Sequence, residues 1–125
     1  MNPLVLIIDD SELILQMLDM VCQQAGYRTV TCNRFDAVPE AVQGEAPAVV
    51  VSDLNLPELG DRDVVGALRA IDALREVPVI LVSGVGPDEL DATAERLGAD
   101  GAVSKEAGMP AVQAQLPAML ERLTA

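Results

Sequence analysis

Five short apolar segments rich in β-branched residues recur along the chain, and this repetition constrains the fold more than any other feature. Between them lie segments in which apolar residues recur at helical spacing. Strands alternating with helices predict a parallel sheet covered on both faces. Right-handed crossovers then give an open, doubly wound α/β sandwich. The predicted strands are Leu4–Ile8, Arg28–Thr31, Ala48–Ser52, Pro78–Val82 and Gly101–Val103.

A helix is predicted after each strand. The first begins near Ser11 and ends at Gly26, a suitable glycine just beyond a helix end. The second is short, from Asp36 to Gln43, because Pro39 is tolerated only in a first turn. The last begins near Pro110. The expected core-facing residues are Leu13, Met17, Met20 and Val21 in the first helix, Val64, Val65, Leu68 and Ile71 in the third, Leu90, Ala94 and Leu97 in the fourth (Pro87 to Gly98), and Val112, Leu116, Met119 and Leu120 in the last.

Length and charge narrow the class of protein. The 125 residues fit a single domain over 1–125, with no residues left for an output domain. No apolar run approaches the roughly 20 residues of a membrane span, and the N-terminus lacks the basic start of a signal peptide. We therefore expect a cytoplasmic protein with no membrane partner. A net charge of −12 with one Tyr and one Phe argues against a nucleic-acid partner.

Histidine is absent from the sequence. This excludes a Ser-His-Asp triad, a Cys-His dyad and a histidine-ligated metal within the chain. Any bound metal is held by oxygen, which favours magnesium, calcium or manganese. Cys22 and Cys32 form no CxxC pair, and we expect both to be small buried apolar side chains.

Polar side chains stand where four of the five predicted strands end. The first strand runs into Asp9 and Asp10, the third into Asp53, the fourth into Ser83, and the fifth stops just before Lys105. The carboxyl ends of the strands form the ligand site of such a sheet. Three clustered carboxylates repel one another unless a cation lies among them, and Mg²⁺ fits best. A single acid after a strand is more often a helix N-cap, so the prediction depends on all four strand ends together.

With these residues at these spacings, the chain resembles the receiver domain of two-component response regulators over its whole length. The matching stretches are IIDDSE with the acid pair, VVVSDLNLP with the phospho-accepting aspartate, VPVILVSG with the hydroxyl residue and GADGAVSKE with the lysine. The resemblance implies a flavodoxin-like (βα)5 fold with strand order 2-1-3-4-5. It also implies a stand-alone, single-domain receiver that acts in a phosphorelay.

The resemblance implies a metal site and its ligands. Mg²⁺, with Mn²⁺ as the alternative, is expected to be held by Asp10, Asp53 and the backbone carbonyl of Asn55. Asp9 is expected to act through a water molecule.

The resemblance also implies a phosphoryl-transfer chemistry. Asp53 is the expected phosphorylation site, with a histidine kinase or a histidine phosphotransfer protein as donor. Lys105 is expected to pair with the Asp53 carboxylate and then with a phosphoryl oxygen, while Ser83 hydrogen-bonds another. Such a protein catalyses only its own phosphorylation and dephosphorylation. It then regulates a downstream protein, which the sequence does not identify, or passes the phosphoryl group on.

Four positions depart from the family pattern. Ala102 replaces the usual Tyr or Phe of the fifth strand, Glu106 replaces the proline after the lysine, the loop after the third strand reads LPELGD, and Pro117 lies inside the last helix. None of the four touches the expected chemistry. Three of them bear on how a phosphorylation signal leaves the domain.

Three other functions compete with this interpretation. A degenerate receiver binds a partner without phosphorylation, and Ala102 keeps that alternative open. A magnesium-dependent aspartyl phosphohydrolase carries its nucleophile on the first strand in a DxD motif, where this chain has DDS. A flavodoxin-type cofactor module needs a first loop rich in Gly, Ser or Thr to bind phosphate, and the first loop here is acidic.

Overall fold

The computed structural model describes residues 2–125 as one parallel five-stranded sheet with helices on both faces. The sheet order is β2-β1-β3-β4-β5, so the predicted fold class and strand order are confirmed. The elements are β1 Leu4–Ile8, α1 Glu12–Gln24, β2 Arg28–Cys32, α2 Val38–Ala41, β3 Val49–Asp53, α3 Val64–Arg69, β4 Val79–Ser83, α4 Pro87–Leu97, β5 Gly101–Ser104 and α5 Met109–Thr124.

The three central strands have side chains buried on both faces, as expected for a sheet covered by helices. Leu6 and Ile8 of β1 pack on the side of α2, α3 and α4, whereas Val5 and Ile7 pack on the side of α1 and α5. The same period of two continues in β3 and β4. This burial drives the apolar strands into the sheet and leaves polar residues at its ends.

The strand register brings the carboxyl ends of the strands to one edge. Ile8 pairs with Ser52, Asp53 with Val82, and Ser83 with Ser104. We call this the carboxyl edge; its predicted site residues are Asp9, Asp10, Asp53, Ser83 and Lys105. The opposite edge, where Arg28, Val79 and Asp100 stand at or just before strand starts, is called the amino edge.

The predicted core face of α1 is wrong in part. Leu13 is 68% exposed and Met20 is 58% exposed. The face that packs on the sheet consists of Leu15, Leu18 and Cys22 together with the predicted Val21. Apolar residues lie nearly all around the first turns of this helix, so their spacing does not select a face. Packing against the sheet selects the buried face instead, and the Ser11 hydroxyl caps the helix by accepting from the Ile14 N–H at 3.4 Å.

Other helices differ from prediction mainly in length. The second is a single α-helical turn, Val38–Ala41, preceded by a 3-10 turn over Phe35–Ala37. Ile71 lies beyond the end of α3. The last helix continues through Pro117 to Thr124. No helix within residues 2–125 is both long and apolar enough to cross a membrane.

Both cysteines are free and buried, as predicted. Burial, with a smaller contribution from Asp19, raises the pKa of the Cys22 thiol to about 12. Burial also raises the pKa of Cys32. A thiol with a raised pKa is a poor nucleophile and metal ligand. The two cysteines therefore belong to the core.

Candidate functional site

The turn after β1 buries one carboxylate and exposes the next. The side chain of Asp9 is fully buried, and its Oδ1 accepts from the Ser11 N–H at 2.9 Å. Its Oδ2 has no hydrogen-bond partner within residues 2–125. Asp10 is exposed. A buried carboxylate oxygen without a donor is costly, so the geometry at Asp9 favours a cation nearby.

Asp53 closes β3 and faces the pair from the neighbouring strand. It is half-buried, and its Oδ1 accepts from the Asn55 N–H at 3.3 Å. One carboxylate oxygen from each of Asp9, Asp10 and Asp53 lies within 4.8 Å of the others. That spacing places the three carboxylates around a single position for a small cation, with room for a water molecule between the ion and one of them. Since hard oxygen ligands suit Mg²⁺ and Mn²⁺, the residues present fit the predicted metal.

The electrostatics of Asp53 reflect this crowding. Burial, followed by the negative charge of Asp9 and a smaller contribution from Asp10, raises its pKa from 3.8 to about 6. The charge of Lys105 and the Asn55 N–H act in the opposite direction and offset part of the rise. The Asp53 carboxylate is therefore held in its charged form against its surroundings at neutral pH.

Lys105 forms its ion pair with a different acid from the one expected. Its Nζ lies 3.6 Å from Oδ2 of Asp9, whereas the sequence comparison implied a pair with Asp53. This Asp9 oxygen is the buried one that has no hydrogen-bond donor within residues 2–125. The Lys105 N–H also donates to the Ser83 carbonyl at 2.7 Å, which ties the end of β5 to the end of β4.

Ser83 lies at the end of β4 with its side chain buried. Its Oγ accepts from the Val85 N–H at 3.4 Å, so the hydroxyl is tied to the loop that leads into α4. All the buried polar or charged side chains of residues 2–125 lie at the carboxyl edge: Asp9, Ser52 and Ser83. The buried polar side chains of residues 2–125 therefore lie at the end of the sheet where the functional site was predicted.

Two serines that the sequence reasoning did not single out complete this edge. The Ser52 hydroxyl donates to the Asp53 carbonyl at 2.9 Å. The Ser104 hydroxyl donates to the Val85 carbonyl at 2.6 Å and accepts from the Glu106 N–H at 3.1 Å. Each directly precedes a predicted site residue in the sequence, and that position is the signal by which both were identifiable.

The loop after Asp53 forms one wall of a cleft of about 400 Å³. Asn55 is exposed in this loop, which is anchored by the buried side chains of Leu56 and Leu59. Gly60 ends a short 3-10 helix with φ +56°, a conformation that glycine adopts without strain. The cleft is lined by Asp10, Leu54, Asn55, Leu56, Pro57, Gly60 and Arg62.

Sequence comparison places the chain in a known family. Residues 5–117 match the response regulator receiver domain. The transcriptional regulatory protein KdpE of Mycobacterium tuberculosis is 35% identical over 122 residues, which cover 98% of this chain and 53% of that protein. The chain thus spans about half the length of the curated relatives it matches.

Solved structures agree with the sequence match. The response regulator DrrB of Thermotoga maritima superposes with a TM-score of 0.75 at 29% identity, covering 98% of this chain and 54% of that one. The chemotaxis response regulator CheY4 of Vibrio cholerae has a TM-score of 0.75 at 24% identity, covering 95% and 99%, and shows the shared fold. The family match and the acid-lined carboxyl edge lead to the same conclusion: this chain belongs to the response regulator receiver domain family.

Proposed function

We propose that Asp53 accepts a phosphoryl group from the phosphohistidine of a histidine kinase or a histidine phosphotransfer protein. Membership of the receiver domain family supports phosphoacceptor signalling in general. One observation supports Asp53 in particular: it closes a buried central strand with two further carboxylates within 4.8 Å. Since no histidine occurs in the sequence, the phosphohistidine is supplied from outside these 125 residues.

The transfer is a substitution at phosphorus. A carboxylate oxygen of Asp53 bonds to phosphorus, the P–N bond to the donor histidine breaks, and its electron pair stays on that ring nitrogen. A proton on the other ring nitrogen lets the donor leave as a neutral imidazole. Such a reaction depends mainly on alignment and on neutralising charge. The chain catalyses only this step and the later hydrolysis of its own acyl phosphate. The phosphorylated form then regulates a downstream protein or passes the group on.

Magnesium, or manganese, supplies charge neutralisation when bound. Asp10, Asp53 and the backbone carbonyl of Asn55 would hold the ion, and Asp9 would act through water. The short distances among the three acids support a cation between them, as does the buried Oδ2 of Asp9, which has Lys105 at 3.6 Å but no hydrogen-bond donor within residues 2–125.

Lys105 and Ser83 serve the transferred group. The Nζ of Lys105 leaves Asp9 and pairs with a phosphoryl oxygen, and the Ser83 hydroxyl donates to another. The hydrogen bond from the Lys105 N–H to the Ser83 carbonyl keeps the two residues on the same side of the site. The Ser83 hydroxyl also contacts the Val85 N–H, so its movement reaches the loop before α4.

Acetyl phosphate with Mg²⁺ tests this proposal directly. Intact mass measurement of the wild type is expected to show one added phosphoryl group, lost in acid or base as acyl phosphates are. Asp53→Asn is expected to abolish the addition, because an amide is not a nucleophile at phosphorus. Asp61→Asn, an exposed acid in the following loop, is the matched control and is expected to behave like wild type. Persistent labelling of Asp53→Asn at another residue would contradict the assignment.

A further inference from the structure

The cleft lined by Asp10 and by the loop that follows Asp53 carries a cation that the proposed chemistry does not use. Among residues 2–125, Arg62 is the only lysine or arginine that lines this cleft, and it faces the same space as Asp10 and Asn55. Its side chain is exposed and forms no ion pair within that part of the chain. Other exposed arginines such as Arg96 also form no ion pair within residues 2–125, but Arg62 is the one that lines the cleft beside an acid of the site.

The backbone holds Arg62 in this place. Its N–H donates to the Leu59 carbonyl at 3.0 Å, and the Leu59 side chain is buried in the core. Gly60 makes the reversal between them with its positive φ. The next residue, Asp63, is the N-cap of α3 and accepts from the Gly66 N–H at 2.6 Å. Arg62 therefore stands on a short segment fixed at both ends, while its side chain is free to reach into the cleft.

The charge balance of the molecule makes this position unusual. The chain has 20 acidic and 8 basic residues. Arg28, Arg69 and Arg75 are paired with acids away from the site, and Lys105 lies beside the buried Asp9. An anion that approaches Asp53 from solvent meets a strongly negative protein, which slows its approach. On the solvent side of the site, Arg62 supplies the compensating charge.

We propose that Arg62 is a substrate-binding residue for small, doubly charged acyl phosphates. Its guanidinium binds two phosphoryl oxygens of the donor in the cleft, a geometry that suits arginine better than lysine. An oxygen of Asp53 then bonds to phosphorus, the P–O bond to the acyl oxygen breaks, and the carboxylate leaves with the electron pair. No proton is consumed. This inference rests on the proposed function of Asp53.

Two donors of different charge separate this role from a structural one. Near neutral pH, acetyl phosphate is doubly charged, whereas phosphoramidate carries one negative charge less. Arg62→Ala is expected to raise the half-saturating concentration of acetyl phosphate roughly tenfold, the loss typical of a charged hydrogen-bond pair. The phosphoramidate rate is expected to change by less than about threefold. Arg62→Lys is expected to fall between wild type and Arg62→Ala for acetyl phosphate.

The matched control is Arg96→Ala, another exposed arginine without an ion pair in residues 2–125, located on α4. It is expected to leave both donors unchanged. Equal rates for wild type and Arg62→Ala with both donors would overturn the inference while leaving Asp53 as phosphoacceptor. An equal loss with both donors would also overturn it, because Arg62 would then act on the fold or the metal site.

A binding measurement tests the role of Arg62 without relying on phosphoryl transfer to Asp53. Acetonylphosphonate has the shape of acetyl phosphate, but a P–C bond replaces the scissile P–O bond. In Mg²⁺-loaded protein, its titration is expected to shift the Nε–H resonance of Arg62 to saturation and to leave that of Arg96 in place. Absence of a shift at Arg62 would overturn the inference. A wild type that binds the phosphonate but takes no phosphoryl group would contradict the proposed function and leave the binding site standing.

Discussion

The amino edge and the carboxyl edge of the sheet differ in how fully their charged side chains are paired. At the amino edge, Arg28 binds Glu45 through two hydrogen bonds of 2.9 and 2.5 Å and also donates to the Asn2 carbonyl. Asp100 accepts from the Val79 N–H at 2.9 Å and from Arg69 at 3.3 Å. At the carboxyl edge, three acids share one lysine, whose Nζ is 3.6 Å from the nearest carboxylate oxygen.

This contrast separates charged residues that stabilise the fold from charged residues that are left uncompensated in the absence of a ligand. The amino-edge charges satisfy one another and close turns at strand starts. At the carboxyl edge, burial and the neighbouring acids raise the pKa of Asp53, and one oxygen of Asp9 has no hydrogen-bond donor within residues 2–125. Functional sites commonly retain such uncompensated charge at a cost in stability. The two edges therefore respond differently to mutation and to Mg²⁺.

The largest expected effect concerns metal affinity at the carboxyl edge. Asp10→Ala is expected to weaken Mg²⁺ binding by about tenfold or more, because the exposed member of the acid cluster is lost. Isothermal titration with Mg²⁺ measures the change. Asp88→Ala on α4, outside the cluster, is the control and is expected to match wild type. Equal affinity in Asp10→Ala and wild type would show that the acid pair serves only the turn into α1.

The variant Lys105→Met tests whether the Lys105 ammonium stabilises the buried carboxylate of Asp9. In EDTA, Lys105→Met is expected to lower the free energy of unfolding by about 2 kcal/mol, because Asp9 is left as a buried charge without a partner. Mg²⁺ is expected to restore at least as much stability to the variant as to wild type, since a competing cation has been removed.

Denaturant unfolding with and without Mg²⁺ measures both effects. Arg96→Met is the control and is expected to stay within about 0.5 kcal/mol of wild type. A Lys105→Met variant that loses no stability in EDTA, or that Mg²⁺ stabilises less than wild type, would contradict the role assigned to the Lys105–Asp9 pair.

A smaller effect is expected at the amino edge. Asp100→Ala is expected to lower the free energy of unfolding by about 1 to 2 kcal/mol, because the buried Val79 N–H loses its acceptor. Phosphorylation by acetyl phosphate is expected to stay unchanged. Arg75→Ala, which breaks the exposed pair with Asp72, is expected to cost less than about 1 kcal/mol. A loss of phosphorylation in Asp100→Ala would show that the two edges are not independent.

The sheet and the position of the site were predictable because both depend on short-range pattern. The β-branched run before Asp53 predicts a buried strand, and the polar residues after four of the five predicted strands together predict the carboxyl edge. The side of α1 that faces the core was not predictable in the same way. Its apolar residues surround the helix, so packing against the sheet decides which of them are buried.

The partner of Lys105 and the cleft at Arg62 depend on long-range geometry. Asp9 attracts the lysine only because packing buries its Oδ2, and no local pattern reports that burial. Arg62 reaches the cleft because Gly60 turns the chain with φ +56°. The sequence shows the glycine but not the direction in which the following side chain emerges.

The central claim is that the carboxyl edge holds Asp53 charged at a cost to the fold. Because the pKa of Asp53 rises from 3.8 to about 6 on folding, the folded state binds more protons than the unfolded state between those values. This residue's contribution to stability is therefore greatest below about pH 4 and is lost as the pH rises to about 6. The side chain introduced by Asp53→Asn does not titrate, so its contribution to stability does not depend on pH in this range.

The most direct test is the free energy of unfolding of wild type and Asp53→Asn in EDTA from about pH 4 to pH 8. Asp53→Asn is expected to be more stable than wild type above pH 6 by about 1 to 2 kcal/mol, a value reduced for the solvent around a half-buried group. The difference is expected to shrink as the pH falls toward 4. A variant no more stable than wild type above pH 6, or a difference independent of pH, would contradict the claim.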